Sequence, residues 1–340
     1  MQFAIRYDLR NPPQWRKPFD QHYAHFLDQV AWADEHGFAQ IHLSEHHFAP
    51  DGYNPSLFTV AAAIAARTKR ITIRLGLILL PLKHPVTVAE DAAMVDIISG
   101  GRLELMVGAG YVSGEYLGFG VPMNQRGGRM EEGVEIIKRC WEDGPFDYDG
   151  KYWKLKGVNV MPKPVQKPRP RIIMGGTNPP SARRAARVAD GYAPNNPAAM
   201  EIYREEMLRL GKDPGPARPT LPPDARPPVN FLCVSRDPDA AWRRIAPHAL
   251  HETNSYAVWG KERGSSGYPE TSDPTALRAT GGYGVLTPEQ TTALGQRMHA
   301  AAGDTATLTF HPMMGGMAYD LGDACLRLVA EEVIPHFKQP

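Results

Sequence analysis

Residues 39–47 have the sequence Ala-Gln-Ile-His-Leu-Ser-Glu-His-His, and this stretch decides the fold. Apolar and polar side chains alternate as far as Ser44, which is the pattern of a half-buried β-strand. Glu45, His46 and His47 follow at the carboxyl end of that strand. The carboxyl ends of strands are where α/β barrels keep their catalytic groups. The stretch therefore predicts an α/β protein with its chemistry at a strand end.

Strand-like and helix-like segments alternate along the rest of the chain. Further strands are predicted near residues 4–5, 70–80, 103–107, 171–174, 190–193, 229–234 and 305–310. Such alternation predicts a parallel sheet flanked by helices. Eight strands favour a closed (β/α)8 TIM barrel over an open sheet. We expect one domain over residues 1–340, because barrels of this length commonly form a single domain.

The barrel is predicted to carry insertions after strands 4 and 7 and a proline-rich connection between them. Residues 145–170 contain Tyr148-Asp-Gly-Lys-Tyr-Trp153, a hairpin signal with an Asp-Gly turn. Residues 213–228 include seven prolines and are predicted to form a stiff surface connection. Residues 252–284 are rich in Gly, Ser, Thr and Tyr and have no clear period, which predicts an irregular lid.

The composition excludes several classes of protein. The chain has 340 residues, 42% of them hydrophobic, and a net charge of +1, with no basic patch for nucleic acid. No apolar stretch is long enough to span a membrane, and the first residues lack the pattern of a signal peptide. Cys140, Cys233 and Cys325 are too far apart in sequence for a disulfide or metal pattern, so we expect buried thiols and a cytoplasmic location.

His46 is the predicted catalytic residue, because an imidazole exchanges protons near neutral pH. Strand alternation puts His42 and His46 on one face, and Glu45 and His47 on the other. All four are metal-ligand types, so a metal-dependent hydrolase is an alternative. No second His and Asp cluster follows the later strands, and we therefore predict no metal site.

Two glycine-containing loops are the predicted binding elements. Gly108-Ala109-Gly110 follows the fourth strand, where glycine would let the backbone approach a planar ring or a phosphate. Gly175-Gly176-Thr177 leads into a helix beginning near Ser181, and the N–H groups at a helix start bind anions. The alternative for the second loop is a tight turn, with Ser181 or Asn178 as the helix cap.

Taken in order, these segments closely resemble the bacterial luciferase-like, flavin-dependent monooxygenase family. The resemblance covers nearly the whole chain and rests on Glu45-His-His47, Leu80-Pro-Leu-Lys-His-Pro-Val86, Ala89-Glu-Asp91, Gly101–Gly110, Gly118-Phe-Gly120 and Met174-Gly-Gly-Thr177. It implies a barrel that uses reduced FMN and dioxygen to oxygenate a small organic substrate. It also implies a separate NAD(P)H-dependent flavin reductase as partner and a homodimer.

The resemblance implies a role for each candidate residue. His46 would lie beside the reactive edge of the flavin. Gly76, Leu77 and Ile78 align with a strained stretch, often holding a non-proline cis peptide, that supports the flavin ring. Gly175, Gly176, Thr177 and Ser181 would grip the flavin phosphate, and Gly108, Ala109 and Gly110 would approach the flavin.

One position departs from the family pattern. Ala109 stands where luciferase has an arginine for the flavin tail. Two alternatives therefore stay open. The first is hydride transfer with the 8-hydroxy-5-deazaflavin coenzyme, and the second is a non-catalytic flavin-binding protein.

Overall fold

The computed structural model describes residues 1–194, 196–217, 219–262 and 268–337. The chain divides into two compact units. Unit 1 takes in residues 1–42, 46–55 and 218–340, and unit 2 takes in residues 43–45 and 56–217.

The strands are, in chain order, β1 (Gln2–Tyr7), β2 (Gln40–Leu43), β3 (Thr72–Leu79), β4 (Leu103–Gly108), β5 (Phe146–Asp149), β6 (Lys154–Val158), β7 (Ile172–Gly176), β8 (Gly191–Pro194), β9 (Phe231–Val234), β10 (Tyr283–Leu286) and β11 (Thr307–Phe310). The helices are α1 (Phe19–Glu35), α2 (Leu57–Arg67), α3 (Pro85–Ser99), α4 (Ser113–Gly118), α5 (Arg126–Cys140), α6 (Pro179–Val188), α7 (Pro197–Arg209), α8 (Pro238–Glu262), α9 (Pro274–Ala279), α10 (Pro288–Ala302) and α11 (Tyr319–Leu328). Each of the eight predicted strands is therefore present, with ends shifted by a few residues.

Unit 1 contains parallel strands in the order β11-β1-β2. Phe3 lies opposite Leu308 in the β1–β11 pair, and both side chains are buried. Helix α1 buries Phe26, Val30 and Ala33, which recur at the spacing of one helix face. Strands β9 and β10 form a parallel pair of their own. The hydrogen bonds of the described residues thus do not close one eight-stranded sheet, and the closed barrel stays a prediction.

Unit 2 contains parallel strands in the order β3-β4-β7-β8. It also contains the antiparallel pair β5–β6, whose turn is closed by a hydrogen bond from the Gly150 N–H to the Trp153 carbonyl, 3.0 Å long. The predicted hairpin is therefore confirmed. Taken together, the two units show an α/β fold built mainly from parallel strands.

The prediction of an irregular lid over residues 252–284 was wrong for most of that range. Helix α8 continues through it to Glu262, and α9 and the unpredicted strand β10 follow. The physical reason is that Ile245, Ala249, Glu252 and Tyr256 are buried at helical spacing. The glycines and serines of residues 263–267, which obscured that period in the sequence, lie outside the described residues.

All three cysteines are buried free thiols, as predicted, and burial raises the pKa of Cys140 to about 12. Over the described ranges, every helix is too short or too polar to cross a lipid bilayer.

Candidate functional site

His46 follows β2 in unit 1, and only 7% of it is exposed. Its ring stacks on Trp259 of α8, with centroids 4.2 Å apart and planes at 28°. Tyr53 meets the same imidazole edge-on at 4.9 Å, and Tyr256 lies at 6.1 Å. We call Tyr53, Tyr256 and Trp259 the aromatic box. The predicted catalytic residue is therefore enclosed by aromatic rings.

Arg10 packs against the same three rings and is almost fully buried. Its guanidinium carbon lies 4.7 Å from the Tyr53 centroid and 5.1 Å from those of Tyr256 and Trp259. Burial alone would lower the pKa of Arg10, but Tyr256, Asp51 and Asp8 raise it above its ordinary value. A permanent positive charge thus lies against the aromatic box, and the negative faces of the three rings attract it.

Two carboxylates hold Arg10 in place. Its Nη1 donates to Asp51, and its Nε lies 3.5 Å from Asp8 Oδ2. The His251 Nε2 atom lies 2.8 Å from the same oxygen of Asp51, Oδ2. Neither acid was singled out in the sequence, because Asp8 ends an ordinary strand and Asp51 lies in a polar loop.

Asp8 also belongs to a second buried group in unit 1. His311 Nε2 lies 3.6 Å from Asp8 Oδ2, and His311 Nδ1 lies 3.8 Å from Glu252 Oε1. Burial alone would raise the pKa of Asp8, but His311 and Arg10 hold it well below its usual range. Within the described residues, these are the three side chains of metal-ligand type that form a group with one ligand atom of each within 4.8 Å of the other two. They are not the His42, Glu45, His46 and His47 set considered from the sequence.

In unit 2, Glu45 is fully buried and pairs with Lys83, with Oε1 and Nζ 3.0 Å apart. Strand β3 of the same unit contains Gly76, Leu77 and Ile78, the residues predicted to support the flavin ring. The Gly76–Leu77 peptide bond is cis, and the β3–β4 register shifts between Leu75 and Ile78. The resemblance implied such a bond at this position.

The side chain of Leu77 explains two of the candidate glycines. A Cβ on Gly108 would lie 2.6 Å from Leu77 Cδ1, and one on Gly175 would lie 2.7 Å from the same atom. Only glycine fits at either position while Leu77 stays where it is. The packing of Leu77 thus explains why glycine stands at positions 108 and 175. Flavin contact at either of them stays a prediction.

The neighbouring candidates Ala109 and Gly110 lie at the end of β4. The Ala109 carbonyl accepts a hydrogen bond from the Tyr116 hydroxyl. Gly110 has a φ of +68°, a backbone conformation that favours glycine. Neither residue brings a cation to this strand end, so a phosphate here would depend on other positive groups.

The loop before α6 is a capped helix start. The Ser181 N–H donates to Asn178 Oδ1 over 3.0 Å, and the Asn178 N–H donates to Ser181 Oγ over 3.2 Å. Pro179 and Pro180 have no N–H to offer. The cap that was considered as an alternative is therefore present, and the first turn of α6 keeps few free donors for an anion.

Two hydroxyls beside that loop, and an arginine further along α6, are nonetheless suitable partners for a phosphate. Ser181 Oγ lies 2.9 Å from the Tyr192 hydroxyl and packs directly on Gly176. Arg184 lies one helical turn after Ser181, with Nε 3.6 Å from Glu131. Hydroxyls and a guanidinium are suitable donors to phosphate oxygens. Thr177, the remaining candidate of this loop, is partly exposed.

The chain matches the model of a known protein family. The model of the luciferase-like monooxygenase family matches residues 1–304. The oxygenase component of flavin-dependent trigonelline monooxygenase from Acinetobacter baylyi is 32% identical over 163 residues, 47% of this chain and 45% of that protein. An F420-dependent glucose-6-phosphate dehydrogenase from Microbacterium testaceum is 30% identical over 188 residues, 54% and 55% of the two chains.

Longer alignments are found at lower identity. FMNH2-dependent dimethylsulfone monooxygenase from Pseudomonas putida is 26% identical over 251 residues, 72% of this chain and 67% of that protein. The crystal structure of the monooxygenase RslO1 from Streptomyces bottropensis superimposes with a TM-score of 0.79 at 26% identity, over 99% of this chain and all of that one. The chain spans about half the length of the first curated relatives it matches.

Proposed function

Because the chain belongs to the luciferase-like monooxygenase family, we propose that it is a flavin-dependent monooxygenase. It uses reduced FMN and dioxygen to oxygenate a small organic substrate. The observation that carries this proposal is the enclosure of His46 by Tyr53, Tyr256 and Trp259. A proton-exchanging group that is shielded from water suits this reaction, because water that reaches the activated oxygen releases it as hydrogen peroxide instead of product.

The proposal assigns flavin contacts to unit 2. Ser181, Tyr192 and Arg184, with the backbone of residues 175–177, hold the phosphate. Residues 76–78 support the ring, and the backbone of residues 108–110 approaches the flavin. The hydroxyls of Ser181 and Tyr192 beside Gly176, and the guanidinium of Arg184 one turn further along α6, support this assignment.

The remaining roles belong to the protein's own side chains and to its partners. Reduced flavin, when bound, supplies the electrons that activate dioxygen. His46 donates or accepts the proton, and the aromatic box excludes water. We also propose a single (β/α)8 barrel with the insertions described above, a homodimer, a cytoplasmic location and a separate flavin reductase. The two-component names of the monooxygenase relatives support the reductase.

Hydride transfer with the deazaflavin coenzyme is the second candidate function. The F420-dependent relative and the alanine at position 109 favour it. The family name covers both chemistries, so cofactor preference decides between them. A non-catalytic flavin-binding protein would bind a flavin and show no turnover.

The test is an anaerobic titration of the full-length protein with reduced FMN and, separately, with the reduced deazaflavin coenzyme. Tighter binding of FMN is expected, followed by oxygen-dependent product formation with trigonelline, dimethylsulfone or related small heteroatom compounds. Tighter binding of the deazaflavin, with turnover that needs no oxygen, would establish the second candidate. Flavin binding without turnover in either assay would leave the non-catalytic protein.

A matched pair of ligands tests the phosphate contacts. FMN carries the phosphate and riboflavin lacks it. Arg184→Gln and Ser181→Ala should weaken FMN binding by about 10-fold each, since a charge-assisted hydrogen bond contributes roughly 1.5–3 kcal/mol. Riboflavin binding should not change. An equal loss of affinity for both ligands would show that the phosphate does not bind beside α6.

A further inference from the structure

Asp8, Glu252 and His311 form a cluster that the flavin reaction does not use. They come from three separate segments of unit 1: the residue after β1, the middle of α8 and the residue after β11. Asp8 and Glu252 are fully buried and His311 is 2% exposed. Arg10 accompanies Asp8 and Arg6 accompanies Glu252, so the group that requires an explanation is the buried imidazole between them.

The hydrogen bonds of the cluster are incomplete. Asp8 Oδ2 and both ring nitrogens of His311 have no hydrogen-bond partner among the described residues. Asp8 shares its one arginine, Arg10, with Asp51. An unsatisfied buried polar group destabilises the folded protein, and three such atoms belong to this cluster. An ion bound by Asp8 and by one ring nitrogen of His311 would satisfy two of them.

The imidazole of His311 lies between the two carboxylates, with Nε2 nearest Asp8 and Nδ1 nearest Glu252. The distances of 3.6 Å and 3.8 Å from His311 to the two carboxylates are too long for hydrogen bonds. Ligands that share one tetrahedral ion at about 2.1 Å lie roughly 3.4 Å apart. One ligand atom of each residue lies within 4.8 Å of the other two, so one ion joins all three once His311 turns a single ring nitrogen toward both carboxylates.

We propose that Asp8, Glu252 and His311 bind a divalent transition-metal ion that joins β1, α8 and β11. One imidazole nitrogen and two carboxylate oxygens are the ligand types of zinc, iron and manganese. The side chain of Arg6 donates to Glu252 Oε1 over 3.2 Å, and the Tyr283 hydroxyl donates to Oε2 over 3.3 Å. Such outer contacts orient ligating carboxylates.

The site is independent of the flavin proposal, because none of its residues is assigned to flavin or to proton exchange. The sequence could not reveal it. Asp8 and His311 are 303 residues apart, and no two of the three ligands form a spacing motif. An ion bound only by the folded protein would stabilise it in proportion to the ion's concentration over its dissociation constant.

The experiment uses the full-length protein, stripped with a chelator and equilibrated with Zn²⁺, with bound metal counted by elemental analysis. One ion per chain is expected, with a rise in the melting temperature. Asp8→Asn and His311→Gln should each weaken binding by more than about 100-fold, beyond the roughly 10–100-fold loss caused by removing an outer-shell partner. Asp51→Asn and His22→Gln are the controls and should keep Zn²⁺ affinity, because they change a buried carboxylate and a buried histidine outside the set.

A direct measurement covers the case in which the ligand variants do not fold. Co²⁺ added to the stripped wild type should give visible absorption bands of a nitrogen- and oxygen-ligated ion, and Zn²⁺ should displace them. Absence of a stoichiometric ion in the wild type would overturn the proposal. Zn²⁺ binding that survives His311→Gln in a folded variant would equally overturn it, by showing that the ion binds elsewhere.

Discussion

The indole of Trp259 lies on the imidazole of His46, with ring centroids 4.2 Å apart. The stack joins two segments of unit 1 that are more than 200 residues apart in sequence, the end of β2 and the last turns of α8. Through Trp259, helix α8 thus covers one face of His46, the predicted proton-exchanging group. Removal of the Trp259 side chain should expose His46 to water.

Trp259→Ala should therefore uncouple flavin oxidation from product formation. Water would reach the reaction, and hydrogen peroxide release should rise while product yield falls. Trp259→Phe keeps a ring over His46 and is the matched control. Peroxide and product are measured against NADH consumed in the presence of a flavin reductase. Equal coupling in Trp259→Ala and the wild type would show that this ring does not exclude water.

His46→Gln should lower oxygenation by roughly 10²–10⁴-fold, the range for loss of a general acid or base. Flavin binding should stay within an order of magnitude of the wild type, because the flavin contacts are assigned to other residues. His47→Gln is the neighbouring control and should keep most of the activity. Turnover and FMN affinity are measured separately. Full activity in His46→Gln would remove this residue from the mechanism.

Arg10→Met should destabilise the protein by about 3–5 kcal/mol, since removing one partner leaves buried charge uncompensated. Arg10 is the cation that Asp8 and Asp51 share, so both carboxylates lose it together. Denaturant unfolding gives the free energy. The double variant Arg10→Met with Asp51→Asn should recover part of the loss. A loss below 1 kcal/mol in the single variant would mean that water replaces the guanidinium.

Acid should destabilise the protein partly through Asp190. Burial alone would raise the pKa of Asp190, but Arg169, the Ile172 N–H and Lys138 hold it below its ordinary value of 3.8. A lowered folded-state pKa means that the unfolded chain binds the proton more readily, so stability falls as the pH drops through and below 3.8. The free energy of unfolding between pH 7 and pH 2.5 should fall less steeply for Asp190→Asn. Parallel curves for the two proteins would contradict the assigned shift.

Gly108→Ala should lower the melting temperature, because its Cβ would lie 2.6 Å from Leu77 Cδ1. The double variant Gly108→Ala with Leu77→Ala should recover part of that loss by removing the clash. Gly114→Ala is the control, since nothing lies within 4 Å of its added Cβ. Additive effects of the two substitutions would show that the residues do not interact.

Most strands were predictable because each has its own local pattern. β3 is rich in β-branched and leucine side chains, and β2 alternates, so neither depends on distant residues for recognition. Helix α8 was only partly predictable. Its buried Tyr256 lies at helical spacing from Glu252, but the glycines and serines that follow diluted the period over the longer window.

The candidate site was predictable only where chemistry and local position coincide. His46 met that condition as an imidazole at a strand end. The pairing of Arg10 with Asp51, and that of Asp8 with His311, arise from contacts between segments far apart in the chain. The glycine at position 108 was predicted as a binding element, whereas the contact seen there is the side chain of Leu77.

The discontinuity of unit 1 sets an order for folding on the ribosome. β1 pairs with β11, so Gln2 must wait for Thr307 to be synthesised, whereas residues 56–217 of unit 2 emerge as one uninterrupted stretch. Chains grow from the N-terminus at roughly 5–20 residues per second, so β1 lacks this partner strand for about 15–60 seconds. Unit 2 can complete its strand pairs during that interval. A nascent chain stalled once residue 217 has left the ribosome should therefore protect residues 56–217 from protease while leaving residues 1–42 open to cleavage.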